Sequence, residues 1–240
     1  MLNHIISAED DLRIFDKLAL EMRKNPGRGP IGWVQIFLQT KKGLIYDEGS
    51  NLVSARGREF VAQRTFNITN YNGGLRTDWR KHIVTHYGVG SGGSTITGGG
   101  VVSLLGPYIC DTQLITAIDL GESGYLTEPG GITNAVKPIT ADGGSMVLEV
   151  QNYTGGVVSC DYYTKIKNTC IIPSGQPTSL AAGDSVKVDE AALYFVLNSA
   201  VDPDVDPPIY SDPNLFAHIC FAPKWKEKES TLTIVWYILC

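Results

Sequence analysis

The chain has 240 residues, of which 43% are hydrophobic and 19% are charged, an ordinary composition for a globular protein with one large domain. A formal net charge of -5 and a pI near 5.4 argue against a nucleic-acid partner, because phosphate binding needs clustered cations. No apolar run reaches the roughly 20 residues of a membrane-spanning helix, which argues against a membrane partner. The 26 glycines and 12 prolines, with many Val, Ile, Thr and Ser residues, favour strands and turns. We therefore expect a mainly β fold.

Residues 1–30 are predicted to form an N-terminal helical arm. Ser7 begins a Ser-x-x-Asp sequence that resembles a capping box, and an Asn-Pro-Gly sequence from Asn25 ends the helix. Between them, four apolar side chains recur at helical spacing on one face: Leu12, Phe15, Ala19 and Met22. Such a stripe needs a surface to pack on, which is either the chain's own domain or a neighbouring subunit.

Residues 31–240 are expected to form a single antiparallel β-sandwich domain of jelly-roll-like type. Its first element is a predicted hairpin. Residues 33–40 alternate in the manner of a strand, a Lys-Lys-Gly turn follows, and residues 44–47 form the second strand.

One additional helix is expected over residues 51–65, with Asn51 as its N-cap. Different side chains mark its two sides: Leu52, Val53, Phe60 and Val61 the apolar stripe, and Arg56, Arg58 and Arg64 the wet side. Gly57 weakens the interior of that helix by about 1 kcal/mol relative to alanine. Its presence predicts close packing of the helix against another backbone.

A glycine-rich stretch follows the apolar residues 83–87. Gly88, Gly90 and Gly93 fit the G-x-G-x-x-G pattern of dinucleotide-binding enzymes, which needs a helix directly after the glycines to hold the pyrophosphate. The next residues, Ser-Thr-Ile-Thr at 94–97, have no helical period. No acidic residue ends a second strand at the spacing that a ribose contact needs. We therefore expect a flexible glycine loop between two strands, with no nucleotide cofactor.

Two short patterns resemble metal-binding motifs. His82 and His86 are four positions apart, which suits one ion on a helix, but on a strand their side chains share a face at a separation of roughly 13 Å. Asp202, Asp204 and Asp206 imitate the start of a calcium loop whose glycine and terminal glutamate are missing here. We expect a solvated acidic loop and no metal cofactor.

The middle of the domain is expected to be an irregular glycine- and proline-rich excursion over residues 88–142. After it, the clearest strands are predicted over residues 146–153, 157–166 and 191–197, with a turn at residues 155–156. These strands suit a β-meander of the kind found in sandwiches.

The chain ends in a predicted hairpin. Residues 215–221 and 231–239 read as its strands, joined by a charged connection over residues 224–229. Both faces of the last strand are apolar. Such a strand lies centrally in a sheet or against another protein.

Five cysteines are widely spaced in the chain: Cys110, Cys160, Cys170, Cys220 and Cys240. None forms a C-x-x-C pair for zinc or redox chemistry. We expect buried, reduced thiols, as in a protein folded in a cytoplasm. The stretch 1–7 before the first acids is too short for a signal peptide, which favours the same compartment.

No catalytic constellation is evident, so the chain is not expected to be an enzyme. Its four histidines, His4, His82, His86 and His218, lie in no recognised nucleophile context, and the G-x-S-x-G pattern is absent. Six carboxylates are candidates for glycoside cleavage, and nothing singles out two of them: Asp111, Asp119, Glu122, Glu128, Asp142 and Glu149. No catalytic, cofactor-binding or metal-ligating residue is assigned.

Three parts of the sequence stand out together. They are NLVSARGREFVAQRTF at 51–66, HYGVGSGG at 86–93, and a closing pair, LFAHICF at 215–221 and LTIVWYIL at 232–239. In this order they resemble a loosely defined group of tailed-bacteriophage virion structural proteins. The shared residues carry packing rather than chemistry. The resemblance implies a non-enzymatic virion component of the capsid surface, the head-to-tail connector (neck) or the baseplate, assembled in the cytoplasm of the bacterial host.

Such a role gives the chain other virion proteins and copies of itself as expected partners, within a symmetric particle. The alternative is a carbohydrate-binding β-sandwich module in a receptor-binding tail part. For that function, aromatic side chains that could stack on sugar rings are Trp79, Tyr162, Tyr163 and Trp225. Isolated aromatic residues are more often core or rim residues of the fold.

Overall fold

The structure is a computed structural model that describes residues 31–67, 70–71, 74–75, 78–98, 100, 102–151, 163–198 and 210–239. The predicted N-terminal arm, the turn at residues 155–156 and the acidic loop at residues 202–206 lie outside the described residues. Within them the fold is mainly β with one α-helix, which confirms the expected fold class.

The elements follow one another in this order: β1 (Ile31–Thr40), β2 (Gly43–Val53), α1 (Ala55–Phe66), β3 (Asn70–Tyr71), β4 (Gly74–Leu75), β5 (His82–Gly90), β6 (Ser94–Ile96), β7 (Val102–Leu104), β8 (Lys137–Pro138), a 3-10 turn (Ala141–Gly143), β9 (Ser145–Gln151), β10 (Tyr163–Ile172), β11 (Ser185–Asn198), β12 (Tyr210–Glu227) and β13 (Thr231–Leu239). Nine strands form one antiparallel sheet in the order β8-β5-β11-β12-β2-β1-β13-β10-β9. Two further pairs, β3–β4 and β6–β7, form separate two-stranded sheets.

The large sheet curls around one core. β2 joins its two halves, because it pairs with β1 over most of its length and with β12 at Leu52 and Val53. Across the interior, the Tyr87 hydroxyl of β5 donates to the carbonyl oxygen of Ile171 in β10 at 2.7 Å. The expected division into the two sheets of a jelly-roll-like sandwich is not confirmed, since the shared strand β2 makes the two halves one curled sheet.

The core lies inside the curl and is built from alternate residues of its strands. Its largest fully buried apolar side chains include Trp236, Tyr87, Phe195, Ile36 and Leu38. A smaller cluster lies on the outer face of β11 and β12 and includes residues of the excursion: Leu114, Val136, Ala192, Tyr194 and Leu215. The excursion, although mostly irregular, therefore covers the back of the sheet.

The β1–β2 hairpin and the additional helix are confirmed, but the predicted N-cap of the helix is wrong. Ser54 is the N-cap of α1, because its Oγ accepts from the Gly57 amide at 2.9 Å and donates to the Leu215 carbonyl at 2.6 Å. Asn51 belongs to β2 instead. Asn and Ser are equally good N-caps, so the local sequence does not distinguish them, and the continuation of β2 to Val53 decides between them.

Gly57 marks a close approach of α1 to β12, as the sequence predicts. A Cβ atom on Gly57 would lie 2.3 Å from the carbonyl oxygen of Phe216. One turn further on, the Phe60 ring stacks on Phe195 with a centroid distance of 4.8 Å. The glycine therefore lets the helix backbone rest directly on the strand.

Replacing Gly57 by alanine is expected to destabilise the protein by roughly 1–3 kcal/mol, because the new methyl group overlaps main chain that cannot move aside alone. Helix propensity by itself predicts the opposite sign, a gain of about 1 kcal/mol. Urea unfolding of Gly57→Ala measures the difference. The exposed Ala62 of the same helix gives the matched control, since Ala62→Gly should lose only about 1 kcal/mol. A more stable Gly57→Ala would contradict the close-packing argument.

β12 and β13 are consecutive in the chain but do not pair, so the predicted terminal hairpin is wrong. The β1–β2 hairpin lies between them, with β13 bonded to β1 and β10, and β12 bonded to β11 and β2. Of the two predicted places for the last strand, centrally in a sheet or against another protein, the structure shows the central one. Val235 and Trp236, which point to opposite faces, are both fully buried. A hairpin with β12 would have required one of these long-range pairings to be given up.

His82 and His86 lie on opposite faces of β5, which corrects the expectation of a shared face. The register with β11 shifts at Thr85, which forms a bulge and reverses the alternation of side chains. His82 packs edge-on against Phe195 in the core at a ring distance of 5.7 Å, whereas His86 packs against Tyr210. Burial lowers the pKa of His86 to about 4, so its ring is neutral at physiological pH.

Candidate functional site

The glycine-rich stretch is anchored by two acidic residues of β11, Asp189 and Glu190. The amide of Gly92 donates to Glu190 Oε1 and the amide of Gly93 donates to Asp189 Oδ1, each at 2.9 Å. The hydroxyl of Ser94 also donates to Asp189. Both carboxylates are fully buried. We call these five residues the glycine clamp.

The glycines of the clamp are required by close contact rather than by a ligand. A Cβ atom on Gly93 would lie 2.1 Å from the carbonyl oxygen of Asp189, and one on Gly92 would lie 2.6 Å from the Cβ atom of Ile115. Successive main-chain amides do form an anion site here, as glycine-rich loops often do. The anions are the protein's own carboxylates, and the segment that follows is strand β6 rather than a helix. The predicted flexible loop is in part strand, because Gly88 and Gly90 belong to β5.

A buried histidine extends this arrangement into β12. His218 Nε2 lies 3.1 Å from Glu190 Oε2, and its Nδ1 lies 2.9 Å from Asp111 Oδ2. Glu190 also accepts from the amides of Ile115 and Thr116 at 2.9 and 2.8 Å. We call Asp111, Glu190 and His218 the His218 cluster. It ties the excursion, the glycine clamp and two central strands to one point.

In the His218 cluster the opposite charges of the imidazolium and the carboxylates stabilise each other. Burial lowers the pKa of His218, but its hydrogen bonds with the Cys220 sulfur, Glu190 and Asp111 outweigh burial and raise the pKa to about 10. Burial raises the pKa of Glu190, and the hydrogen bonds from His218 and from the amides of Thr116, Ile115 and Gly92 reverse that shift, so the net pKa is lowered. The ring is therefore an imidazolium between two carboxylates at neutral pH.

Comparison of the chain with protein-family models, curated proteins and solved structures finds no match. What the site can do chemically therefore follows from the distances and burial of its own residues.

The His218 cluster is unsuited to acid–base or nucleophilic catalysis. Both ring nitrogens of His218 donate to carboxylates, so the ring has no lone pair with which to take a proton from a substrate. The Cys220 sulfur lies 3.8 Å from Nε2, a nitrogen that Glu190 already engages. Glu190 and His218 are almost fully buried. The arrangement holds backbone segments in place, and of the three side chains of the cluster only that of Asp111, 22% exposed, reaches solvent.

The five described carboxylates among those considered for glycoside cleavage bind internal partners of the fold. Asp111 binds His218, Glu128 accepts from the Leu114 amide and from the Tyr194 hydroxyl, and Asp119 accepts from the Gly121 amide. Asp142 pairs with Lys137, and Glu122 accepts from Gln176. The side chain of Glu149 lies outside the described residues. Asp142 and Glu122 belong to one network, because Lys137 also donates to Gln176, whereas Asp111, Asp119 and Glu128 have separate partners.

Two buried lysines form a second polar cluster at the other side of the core. The Lys137 ammonium donates to Asp142, to Gln176 Oε1 at 2.9 Å and to the carbonyl of Ile171 at 2.9 Å. Lys226 donates to the carbonyls of Gln176 and Ser230. Burial, followed by the charge of Lys137, lowers the pKa of Lys226 to about 8. Both side chains are fully buried, so their donors serve the fold.

The aromatic residues proposed for sugar stacking are not gathered on one surface. Trp79 is buried in the core against Phe195, which corrects its assignment as a candidate for stacking. Trp225 is 54% exposed and remains accessible to a sugar ring. Tyr162 and the side chain of Tyr163 lie outside the described residues.

Three cysteines are described, and all three are free thiols. Cys170 is buried, as expected, while Cys110 is exposed and Cys220 is intermediate, so the expectation of burial holds only in part. Cys160 and Cys240 lie outside the described residues. In the described ranges no three His, Cys, Asp or Glu side chains are grouped to hold a metal ion. The same ranges also contain no helix long and apolar enough to cross a membrane.

Sequence reasoning missed the residues that organise the site. Asp189 and Glu190 are adjacent acids that come directly before the apolar run of residues 191–197, and this is the signal that could have found them, since buried acids need partners. His218 and Lys226 give a similar signal in β12. None of these positions belongs to a motif with a known spacing, so spacing alone does not single them out.

Proposed function

We propose that this chain is a non-enzymatic structural component of a tailed-phage virion, acting through assembly contacts with other virion proteins and with copies of itself. The capsid surface, the neck and the baseplate are the candidate locations, and assembly takes place in the host cytoplasm. The basis is the resemblance of three sequence segments, taken together with what those segments do in the fold.

Each resembling segment has a packing role, which supports the proposal. The first includes the cap of α1 and Gly57, and so sets the helix on β12. The second carries Gly92 and Gly93 of the glycine clamp. The third supplies the central strands β12 and β13. Motifs whose residues pack the fold, rather than carry chemistry, suit a structural protein.

The observation that carries the proposal is the contrast between interior and surface. The buried ionisable groups of both polar clusters are bound to main chain, to the side chain of Gln176 or to each other. The surface, by contrast, exposes several large apolar side chains between residues 96 and 115, including Ile96, Leu104 and Tyr108. Concentrated apolar exposure marks an interaction site on a folded protein. A protein whose buried polar groups stabilise the fold and whose surface exposes apolar side chains suits assembly better than catalysis.

The direct test is the protein content of purified particles from the phage whose genome encodes the chain. Quantitative mass spectrometry should find the chain at a fixed, symmetry-related copy number per particle. Absence of the chain from purified particles would overturn the proposal.

Substitutions in the predicted N-terminal arm test whether it is an assembly contact. Phe15→Asp with Met22→Asp, which places charge on the predicted apolar stripe, should leave a cooperative melt but reduce incorporation into particles at least about tenfold. Lys17→Ala with Glu21→Ala, on the opposite side of the predicted helix, is the matched control and should incorporate normally. If the stripe variant fails to fold, the arm packs on its own domain. If it incorporates normally, the arm is not an interface.

Carbohydrate binding is the second candidate, because Trp225 is exposed on β12. A glycan array tests it with the full chain, and Trp225→Ala should abolish any signal that depends on stacking. An array without reproducible binding would leave assembly as the proposed function.

A further inference from the structure

The β6–β7 hairpin has one apolar and one polar face. In its register Ile96 is opposite Val102 and Thr95 is opposite Ser103. Cross-strand partners share a face and neighbours in a strand alternate, so Ile96, Val102 and Leu104 lie together on one face, at whose base the buried Ser94 bonds to Asp189. Their side chains are 50%, 43% and 52% exposed. A two-stranded hairpin is marginally stable by itself, so an uncovered apolar face indicates a missing partner layer.

The apolar surface continues past the hairpin. The Leu105 amide donates to the Gly93 carbonyl at 2.9 Å, and Ile115 lies against Gly92, so both border the hairpin base. The hairpin patch, as we define it, consists of Ile96, Val102, Leu104, Leu105, Tyr108 and Ile115, all exposed.

The patch is large enough for a specific interface. Exposed by 37–75%, its six residues together present several hundred Å² of apolar surface, on the order of the patches that mark interaction sites. A standard interface buries about 800 Å² per partner, of which somewhat more than half is apolar, or about 450 Å². One such patch therefore supplies what one side of a stable contact needs.

A complementary surface lies at the far end of the large sheet. β9 is the last strand of the sheet order, whereas the hairpin follows β5 near the opposite end. Three consecutive apolar residues of β9, Met146, Val147 and Leu148, are 39%, 43% and 64% exposed. β9 pairs only with β10 among the described strands, so it is the edge strand of the sheet in the part of the chain that the structure describes. Edge strands are normally protected by charge, proline or a cover, and this stretch of β9 has neither charge nor proline.

We propose that these two surfaces form one interface between copies of the chain, in which the apolar face of the β6–β7 hairpin of one copy packs on the exposed β9 residues of the next. Ile96 and Leu104 then lie against Met146 and Leu148, so the apolar side chains of both surfaces leave water. The contact joins two different surfaces, so it repeats head to tail and gives a closed ring or an open filament. The inference rests on the proposed assembly function and names the contact that carries it.

Two blocked variants test the interface with the full chain. The hairpin variant carries Ile96→Asp and Leu104→Asp, and the edge variant carries Met146→Asp and Leu148→Asp. Size-exclusion chromatography with light scattering, up to on the order of 100 μM, should show assemblies for the unaltered chain and monomers for each variant alone. Each variant should weaken self-association at least about 100-fold. An equal mixture of the two should form a one-to-one dimer, because the edge of one and the hairpin of the other remain intact.

A control variant separates this contact from nonspecific association through exposed apolar side chains. Ile132→Asp, at an apolar residue 40% exposed outside both surfaces, should assemble like the unaltered chain. All variants alter exposed side chains and should melt at unchanged temperature. If the edge variant alone still dimerises, or if the mixture stays monomeric, the head-to-tail contact is wrong. An unaltered chain that stays monomeric throughout also overturns the inference.

Failure here is distinguishable from failure of the proposed function. A monomeric chain that is still present in purified particles at fixed copy number would overturn only the contact between copies. A self-associating chain that is absent from particles would overturn only the virion assignment.

Discussion

Replacing Glu190 by glutamine should lower the free energy of unfolding by about 3–5 kcal/mol, the range observed when one member of a buried ion pair is removed. Glu190 accepts from the amides of Gly92, Ile115 and Thr116 and from His218. A glutamine amide presents donors where these donors converge, and it leaves the charge of His218 with Asp111 alone. The loss therefore combines unpaired donors with a less compensated buried charge.

Urea unfolding followed by circular dichroism measures this effect. Glu227→Gln, at a half-buried position of β12, removes the same charge outside both clusters and should change stability by less than about 1 kcal/mol. Loss of the clamp should also expose the glycine segment, so amides 92 and 93 should exchange with deuterium faster in Glu190→Gln. Equal stability of the two variants would show that the cluster does not hold the excursion in place.

The pH dependence of stability should separate the two polar clusters, because their shifts have opposite signs. Lys226 has its pKa lowered from 10.5 to about 8, so between these values the unfolded chain binds more protons and stability rises with pH, by about 3 kcal/mol in total. His218 has its pKa raised from 6.5 to about 10. Its contribution is complete below pH 6.5 and is lost as pH rises through 10. In the unaltered protein the two trends oppose each other.

Single variants reveal each trend. His218→Gln removes the falling contribution, so this variant should gain stability with pH relative to the unaltered protein between pH 7 and pH 9.5. Lys226→Met removes the rising contribution and should show the reverse. Lys81→Met, at an exposed position, is the control and should follow the unaltered protein. Parallel pH profiles for all four proteins would contradict the assignment of these buried charges.

The local elements could be predicted from the sequence where the pattern itself has a physical period. Alternation predicted the β1–β2 hairpin and the strands β11 and β13, and the apolar faces of the last strand predicted its central position. Gly57 predicted a close backbone approach, since a glycine inside a helix needs a reason of this kind. The absence of a helix after Gly93 followed from the β-branched residues of 94–97.

The pairing of the strands could not be predicted in the same way. Sequence adjacency favoured a β12–β13 hairpin, but the β1–β2 hairpin lies between these strands, since long-range pairing with β1 and β10 buries both faces of β13. The bulge at Thr85 is a feature of register, so the opposite faces of His82 and His86 also required the fold. The alternation of side chains along a strand does not show where a bulge inserts one extra residue.

By itself, then, the sequence determined the β class, the positions of most of the described strands, the helix α1 and the burial of the final strand, because these depend on side-chain periodicity within a few residues. Only the tertiary structure decided which strands are neighbours and where the buried charges meet. Asp111 and His218 are 107 positions apart, and Glu190 reaches both the glycine segment and the excursion. The partners of a buried charge are chosen by folding, because desolvation is compensated by whichever donors the topology brings within hydrogen-bonding distance.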